Sequence, residues 1–128
     1  MVTRVLIAAV IALVAWTPTA ACIPFSVIDF QFGSAQPRGD NLAEIIRVAK
    51  KFRNAPDQRV SLVAQSDGSA ANLEMARLRA SAVKAELVRR GVPALKIDVE
   101  LGVGANAKLA GDGYARMVIL ELTTGPTC

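Results

Sequence analysis

At 128 residues, 52% of them hydrophobic, the chain holds one modest domain; its net charge of +4 is too mild for a nucleic-acid footprint or a disordered basic tail. It has no histidine, which removes Ser-His-Asp and Cys-His catalysis and mixed Cys/His zinc sites, and its two cysteines, Cys22 and Cys128, cannot build a four-thiolate metal site. No general base is paired with a nucleophile anywhere in the sequence, so the chain reads as a binding or structural protein, not an enzyme, with no cofactor and no metal.

The first segment reads as an export signal. Arg4 precedes twelve uncharged residues, Val5 to Trp16, shorter than the about 20 needed to cross a bilayer. The run breaks at Thr17-Pro18, and Thr19-Ala20-Ala21 offers the small residues of a peptidase site, so residues 1–21 are taken as a signal peptide and 22–128 as the exported domain. A short uncleaved anchor is the competing reading. Cys22 also has two readings. A lipid-modified first residue of a lipoprotein is one, although Thr19 stands where that signal prefers a large aliphatic residue; a disulfide with Cys128 in an oxidising compartment is the other.

Ser26 to Phe32 alternates as a strand, with Ile28, Phe30 and Phe32 on one face. After the turn-rich Gly33 to Arg38, Asp40 or Asn41 is placed to cap a helix whose stripe is Leu42, Ile45, Ile46, Ala49 and Phe52 and which ends before Pro56. Val60, Leu62 and Ala64 line one face of a second strand. The turn Ser66-Asp67-Gly68-Ser69 then opens a second helix, about Asn72 to Arg90, with a stripe of Ala76, Ala80, Val83 and Leu87, and Gly91 and Pro93 stop it. Ile97, Val99 and Leu101 alternate in a third strand, and Val118, Leu120 and Leu122 in a fourth. Gly102 to Gly113 reads as the loop between them; no Lys-Ser/Thr follows Gly102-Val103-Gly104, so it is not a phosphate cradle.

Each strand has one strongly apolar face, so both helices should cover the same side of one sheet. The expected fold is a two-layer α+β domain, β-α-β-α-β-β, with two helices on one face of a mixed four-stranded sheet.

On the second helix Asn72 and Arg79 are seven residues apart and therefore fall within about 20° of each other. Arg77 has Glu74 one turn back, whereas no acid stands three or four residues from Arg79, which predicts Arg79 to be the free guanidinium. Alone, Asp67 fits an Asx turn or helix cap, and Arg79 a solvated helix position.

The element order and a set of motifs resemble the OmpA-like peptidoglycan-binding domain of Gram-negative envelope proteins, over a core of residues 27–122. Ile28-Asp29-Phe30-Gln31-Phe32-Gly33-Ser34-Ala35 is similar to the family's first strand and exit turn. Ala64-Gln65-Ser66-Asp67, then Asn72, Arg79 and Ala80, stand where the family has Gly-His-Thr-Asp, an Asn and Leu-Ser-x-x-Arg-Ala; Gly91-Val92-Pro93, Gly102-Val103-Gly104 and Arg116 also fall at family positions. The chain departs from the pattern in a shorter loop between Asp67 and Asn72, in Ala64-Gln65 for Gly-His, and in Met75-Ala76 for Leu-Ser.

The resemblance implies non-covalent binding of peptidoglycan through the diaminopimelate of its peptide stem. Asp67 would accept the ammonium and Arg79 would grip the carboxylate, with Asn72 and Ser66 in the same site. It also implies a periplasmic or outer-membrane location, with membrane association if Cys22 is lipidated. Because the last strand should lie antiparallel beside the first, it implies a Cys22–Cys128 disulfide. The competing reading is a domain with the fold but a degenerate glycan site, serving as an interaction module for other envelope proteins.

Overall fold

A computed structural model describes residues 25–103 and 114–123. Strand β1 is Ser26–Asp29, helix α1 Asp40–Asn54, β2 Val60–Ser66, α2 Ala70–Arg89, β3 Ile97–Val103 and β4 Met117–Leu122. Short 3-10 turns, Ala94–Lys96 and Tyr114–Arg116, lead into β3 and β4. The expected order of strands and helices is present. Both cysteines, and with them the lipid and disulfide readings, lie outside the described residues, as does the proposed signal peptide.

The sheet runs β1-β4-β2-β3. The α2 crossover makes β2 and β3 parallel, while β4 inserts between β1 and β2 and is antiparallel to both, so the sheet is mixed. Ile28, Val60, Leu62, Ala64, Val118, Leu120 and Leu122 turn one face of the sheet towards the helices. Ile45, Val48, Ala49 and Phe52 of α1 and Ala76, Ala80, Val83 and Leu87 of α2 close the core over it. Both helices therefore lie on the same face, as the alternation of the strands predicted.

Several expectations are corrected at the edges. Strand β1 stops at Asp29, and a turn follows in which the Ser34 N–H donates to the Gln31 carbonyl at 3.1 Å. Phe30 still tucks into the core, but the alternation ends there and Phe32 is 85% exposed. In α1 the buried stripe runs through Val48, with Leu42 and Ile46 only half-buried. Neither Asp40 nor Asn41 caps that helix, since the cap position is Gly39. The Asn41 carboxamide instead accepts the Asp29 N–H at 3.3 Å and donates to the Asp29 carbonyl, clasping the end of β1 to the start of α1. Helix α2 begins two residues earlier than predicted, capped by the Ser69 hydroxyl.

Strand β3 continues through Gly102 to Val103, so Gly102 belongs to the sheet and not to a loop. It pairs with Gln65 across the ladder, and a Cβ at Gly102 would lie 2.6 Å from Gln65 Oε1, so a side chain there would require the Gln65 carboxamide to shift. Val99 is 43% exposed because β3 is the sheet's outer strand and α2 covers only its inner side.

Candidate functional site

The turn between β2 and α2 is locked by short polar bonds. Ser66 Oγ accepts the Gly68 N–H at 3.0 Å, Asp67 Oδ1 the Ser69 N–H at 2.8 Å, and Asn72 Oδ1 the Asp67 N–H at 2.9 Å. Gly68 has a φ of 88°, a left-handed conformation that a side chain would strain. The exposed Asp67 carboxyl is held below the usual carboxylate range by hydrogen bonding from the Ser69 side chain and then its backbone N–H. Asp67 is thus an exposed anion held in place by the turn. Ser66 is fully buried, and its hydroxyl serves the turn.

Arg79 is not the free guanidinium expected of it. Only 2% exposed, it donates from Nε to the Ser34 carbonyl at 2.9 Å, from Nη1 to Ala115 at 3.3 Å and from Nη2 to Gln31 at 3.3 Å. It also lies over the Phe30 ring, 5.6 Å from the centroid. These contacts tie α2 to the exit of β1 and the entrance of β4. Among the described residues, three of its five N–H groups are so engaged and two are not. Burial, and then the neighbouring Arg116 charge, push its pKa down, with Asp29 acting in the opposite direction; a guanidinium stays charged through such a shift.

Arg116, at the last position before β4, adds a second cation. Its Nε is buried without a hydrogen-bond partner among the described residues. Within the described residues, neither Arg79 nor Arg116 forms an ion pair.

These groups surround one cleft of about 300 Å³. Asp67, Ser69, Asn72, Arg79 and Arg116 line it with their polar groups, and Phe32 and Met75 supply apolar wall. Of the residues singled out from sequence, Asp67, Asn72 and Arg79 come together here, while Ser66 supports the turn from behind. Arg77, used as the contrast to Arg79, points elsewhere and pairs with Glu74 at 3.5 Å, as predicted.

Sequence reasoning left Arg116 and Phe32 out of the site. Arg116 had only its family position to mark it, since no local spacing links it to a helix that ends at Arg89, well before it in the chain. Phe32 was misplaced because its alternation with Ile28 and Phe30 assumes a strand that the Gln31–Ser34 turn ends. Among the described residues, no group of three or more Cys, Asp or Glu is arranged to hold a metal ion, and no helix is long and apolar enough to cross a membrane.

No protein-family model matches the sequence, and no curated protein is similar enough to match it. Solved structures do resemble the fold. The OmpA-like domain of FopA1 from Francisella tularensis subsp. tularensis SCHU S4 superimposes with a TM-score of 0.64 at 18% identity, over 77% of this chain and 73% of that one. The peptidoglycan-associated lipoprotein from Burkholderia pseudomallei gives 0.64 at 20% identity, over 76% and 89%. The C-terminal domain of Helicobacter pylori MotB gives 0.60 at 18%, over 76% and 81%. With its split β-α-β core, inserted last strand and two helices on one face, the chain has the OmpA-like fold.

Proposed function

We propose that this protein is an exported envelope protein that binds peptidoglycan non-covalently, taking the zwitterionic end of diaminopimelate into the cleft at the start of α2. The observation that carries the reading is the charge arrangement: one carboxylate, Asp67, lines the same 300 Å³ cleft as two guanidiniums, Arg79 and Arg116, that have no carboxylate partner among the described residues. Asp67 accepts the ligand ammonium. The Arg116 and Arg79 guanidiniums donate to the carboxylate, and Phe32 and Met75 pack along the methylene chain between the two charges. Arg79 acts chiefly from the floor, as a cation and as the tie that keeps the cleft walls in place. A name among the structural relatives, the peptidoglycan-associated lipoprotein, agrees with this ligand.

Calorimetric titration with two synthetic stem peptides tests the reading. A peptide carrying meso-diaminopimelate offers both charges, whereas the lysine analogue lacks the side-chain carboxylate. The diaminopimelate peptide is expected to bind at least about tenfold more tightly, the effect of losing one charge-assisted contact. Equal binding of the two, or none by a folded protein, would overturn it and favour the interaction-module reading.

A further inference from the structure

The cleft at the start of α2 holds more positive charge than one zwitterion can neutralise. Among the described residues that line it, the charged ones are Asp67, Arg79 and Arg116, which leaves an excess of one positive charge. Neither guanidinium draws on another anion, since the ion pairs among the described residues all use other arginines. The two also lie close enough to repel. Arg79 Nη1 donates to the carbonyl of Ala115, the residue before Arg116, and the Arg116 charge is second only to burial in lowering the Arg79 pKa. Arg116 Nε is buried with no acceptor among the described residues, and a buried donor left unpaired is costly. The ammonium and carboxylate on one end of diaminopimelate cancel each other at neutral pH, so that end alone leaves the excess in place.

We infer that the cleft takes a second carboxylate together with the zwitterion, and so selects peptide stems that end at diaminopimelate. The inference rests on the reading of this cleft as a diaminopimelate site. Diaminopimelate has two α-carbons joined by methylenes. One bears the free ammonium and carboxylate; the other is bonded through its nitrogen to the stem, and its carboxyl is free only where no residue follows. A stem that ends there brings one positive and two negative charges, which neutralise Asp67, Arg79 and Arg116 together. A stem that continues turns that carboxyl into a neutral amide and carries its last carboxylate a residue's length, about 3.5 Å, further on. Arg79, the more buried cation, holds the carboxylate of the zwitterionic end, and Arg116, half-buried, donates to both. The second carboxylate forms by hydrolysis of the amide bond to the following residue, water giving its hydroxyl to the carbonyl carbon and a proton to the departing amine. A peptidase-type reaction must therefore supply this ligand.

Calorimetric titration of the purified protein with four synthetic peptides tests the inference. The first is the tripeptide Ala-γ-Glu-diaminopimelate; two others carry a carboxamide, at the stem-side carbon or at the zwitterionic end; the fourth is the tripeptide extended by D-alanine. The tripeptide is expected to bind at least about tenfold more tightly than its stem-side amide, the effect of losing one charge-assisted contact. The tetrapeptide has the same net charge as the tripeptide, so diffuse attraction to a basic protein would bind both equally, whereas a contact at the stem-side carboxylate makes it as weak as the amide. Equal binding of the tripeptide and its stem-side amide, or of the tripeptide and the tetrapeptide, would overturn the inference. In that case a loss of at least about tenfold for the amide at the zwitterionic end would show that the diaminopimelate reading itself still stands. No binding of any of the four by a folded protein would overturn both.

Discussion

The Arg79 guanidinium lies 5.6 Å from the centroid of the Phe30 ring while its three nitrogens reach the carbonyls of Gln31, Ser34 and Ala115. One side chain of α2 thereby fixes the segment that leaves β1 and the segment that enters β4, and the cleft lies between those segments and the helix start. Arg79→Ala should cost about 2 to 4 kcal/mol of stability, because three carbonyls lose a charged donor. Arg79→Lys should recover little of it, since one ammonium cannot span three acceptors arranged for a planar fork. Arg116→Gln should cost less than about 1 kcal/mol. Urea denaturation of the three variants measures this, and an Arg79→Ala protein as stable as the parent would show that the tie is unimportant.

The core assignment gives a second expectation. Phe30→Ala and Leu87→Ala should each lose about 2 to 5 kcal/mol, because both side chains are buried between sheet and helices. Leu78, on the outer side of the same helix and 49% exposed, should lose far less on truncation. Equal losses for Leu78 and Leu87 in chemical denaturation would contradict the orientation of α2.

Much of this layout was legible in the chain, for physical reasons that also explain the misses. The stripe Ala76, Ala80, Val83 and Leu87 is long and follows one helical period, so it fixed the buried face of α2. Arg79 lies three residues after Ala76 and four before Val83, which places it on that same face; an absence of acidic neighbours along the helix says nothing about carbonyls arriving from β1 and β4. Val99 has the alternation of a buried strand residue, but alternation cannot tell an inner strand from an outer one. Asn41 had a cap residue's chemistry and found better partners in the Asp29 backbone, contacts twelve residues away that no local pattern encodes.

The Arg59–Asp98 pair predicts a pH dependence. Arg59 donates from Nε and Nη2 to the two Asp98 oxygens, each at 2.8 Å, and from Nη2 to the Leu95 carbonyl at 2.8 Å. Hydrogen bonding to Arg59 holds the Asp98 carboxyl below its usual range. A carboxyl lowered on folding stabilises the protein above its unfolded pKa of about 4, and that stabilisation is lost as pH falls through the lower folded value. The urea midpoint should therefore fall less steeply below about pH 4 in Asp98→Asn than in the parent. Parallel acid limbs would show that the pair adds nothing.

Strand pairing bears on the cysteines. Ser26 of β1 faces Leu120 of β4, so the entrance of the first strand and the exit of the last are neighbours. We propose that Cys22 and Cys128 form a disulfide in the exported protein, contributing up to about 4 to 5 kcal/mol in the chain-entropy picture. Intact-mass measurement of protein from the envelope, with and without reduction and alkylation, decides the matter. Two free thiols, or a diacylglyceryl mass on Cys22, would contradict the bond.

Sedimentation with purified diaminopimelate-containing sacculi tests the central claim most directly. Asp67→Asn keeps an oxygen to accept the Ser69 N–H and removes only the charge, so it separates ligand contact from folding of the turn. The parent should pellet with the sacculi at salt concentrations that screen diffuse attraction over about 10 Å or less, and Arg77→Ala should pellet with it. Asp67→Asn and Arg116→Gln should stay in the supernatant while remaining folded by circular dichroism. A folded parent that stays wholly in the supernatant, or an Asp67→Asn variant retained as well as the parent, would contradict the assignment of this cleft to peptidoglycan.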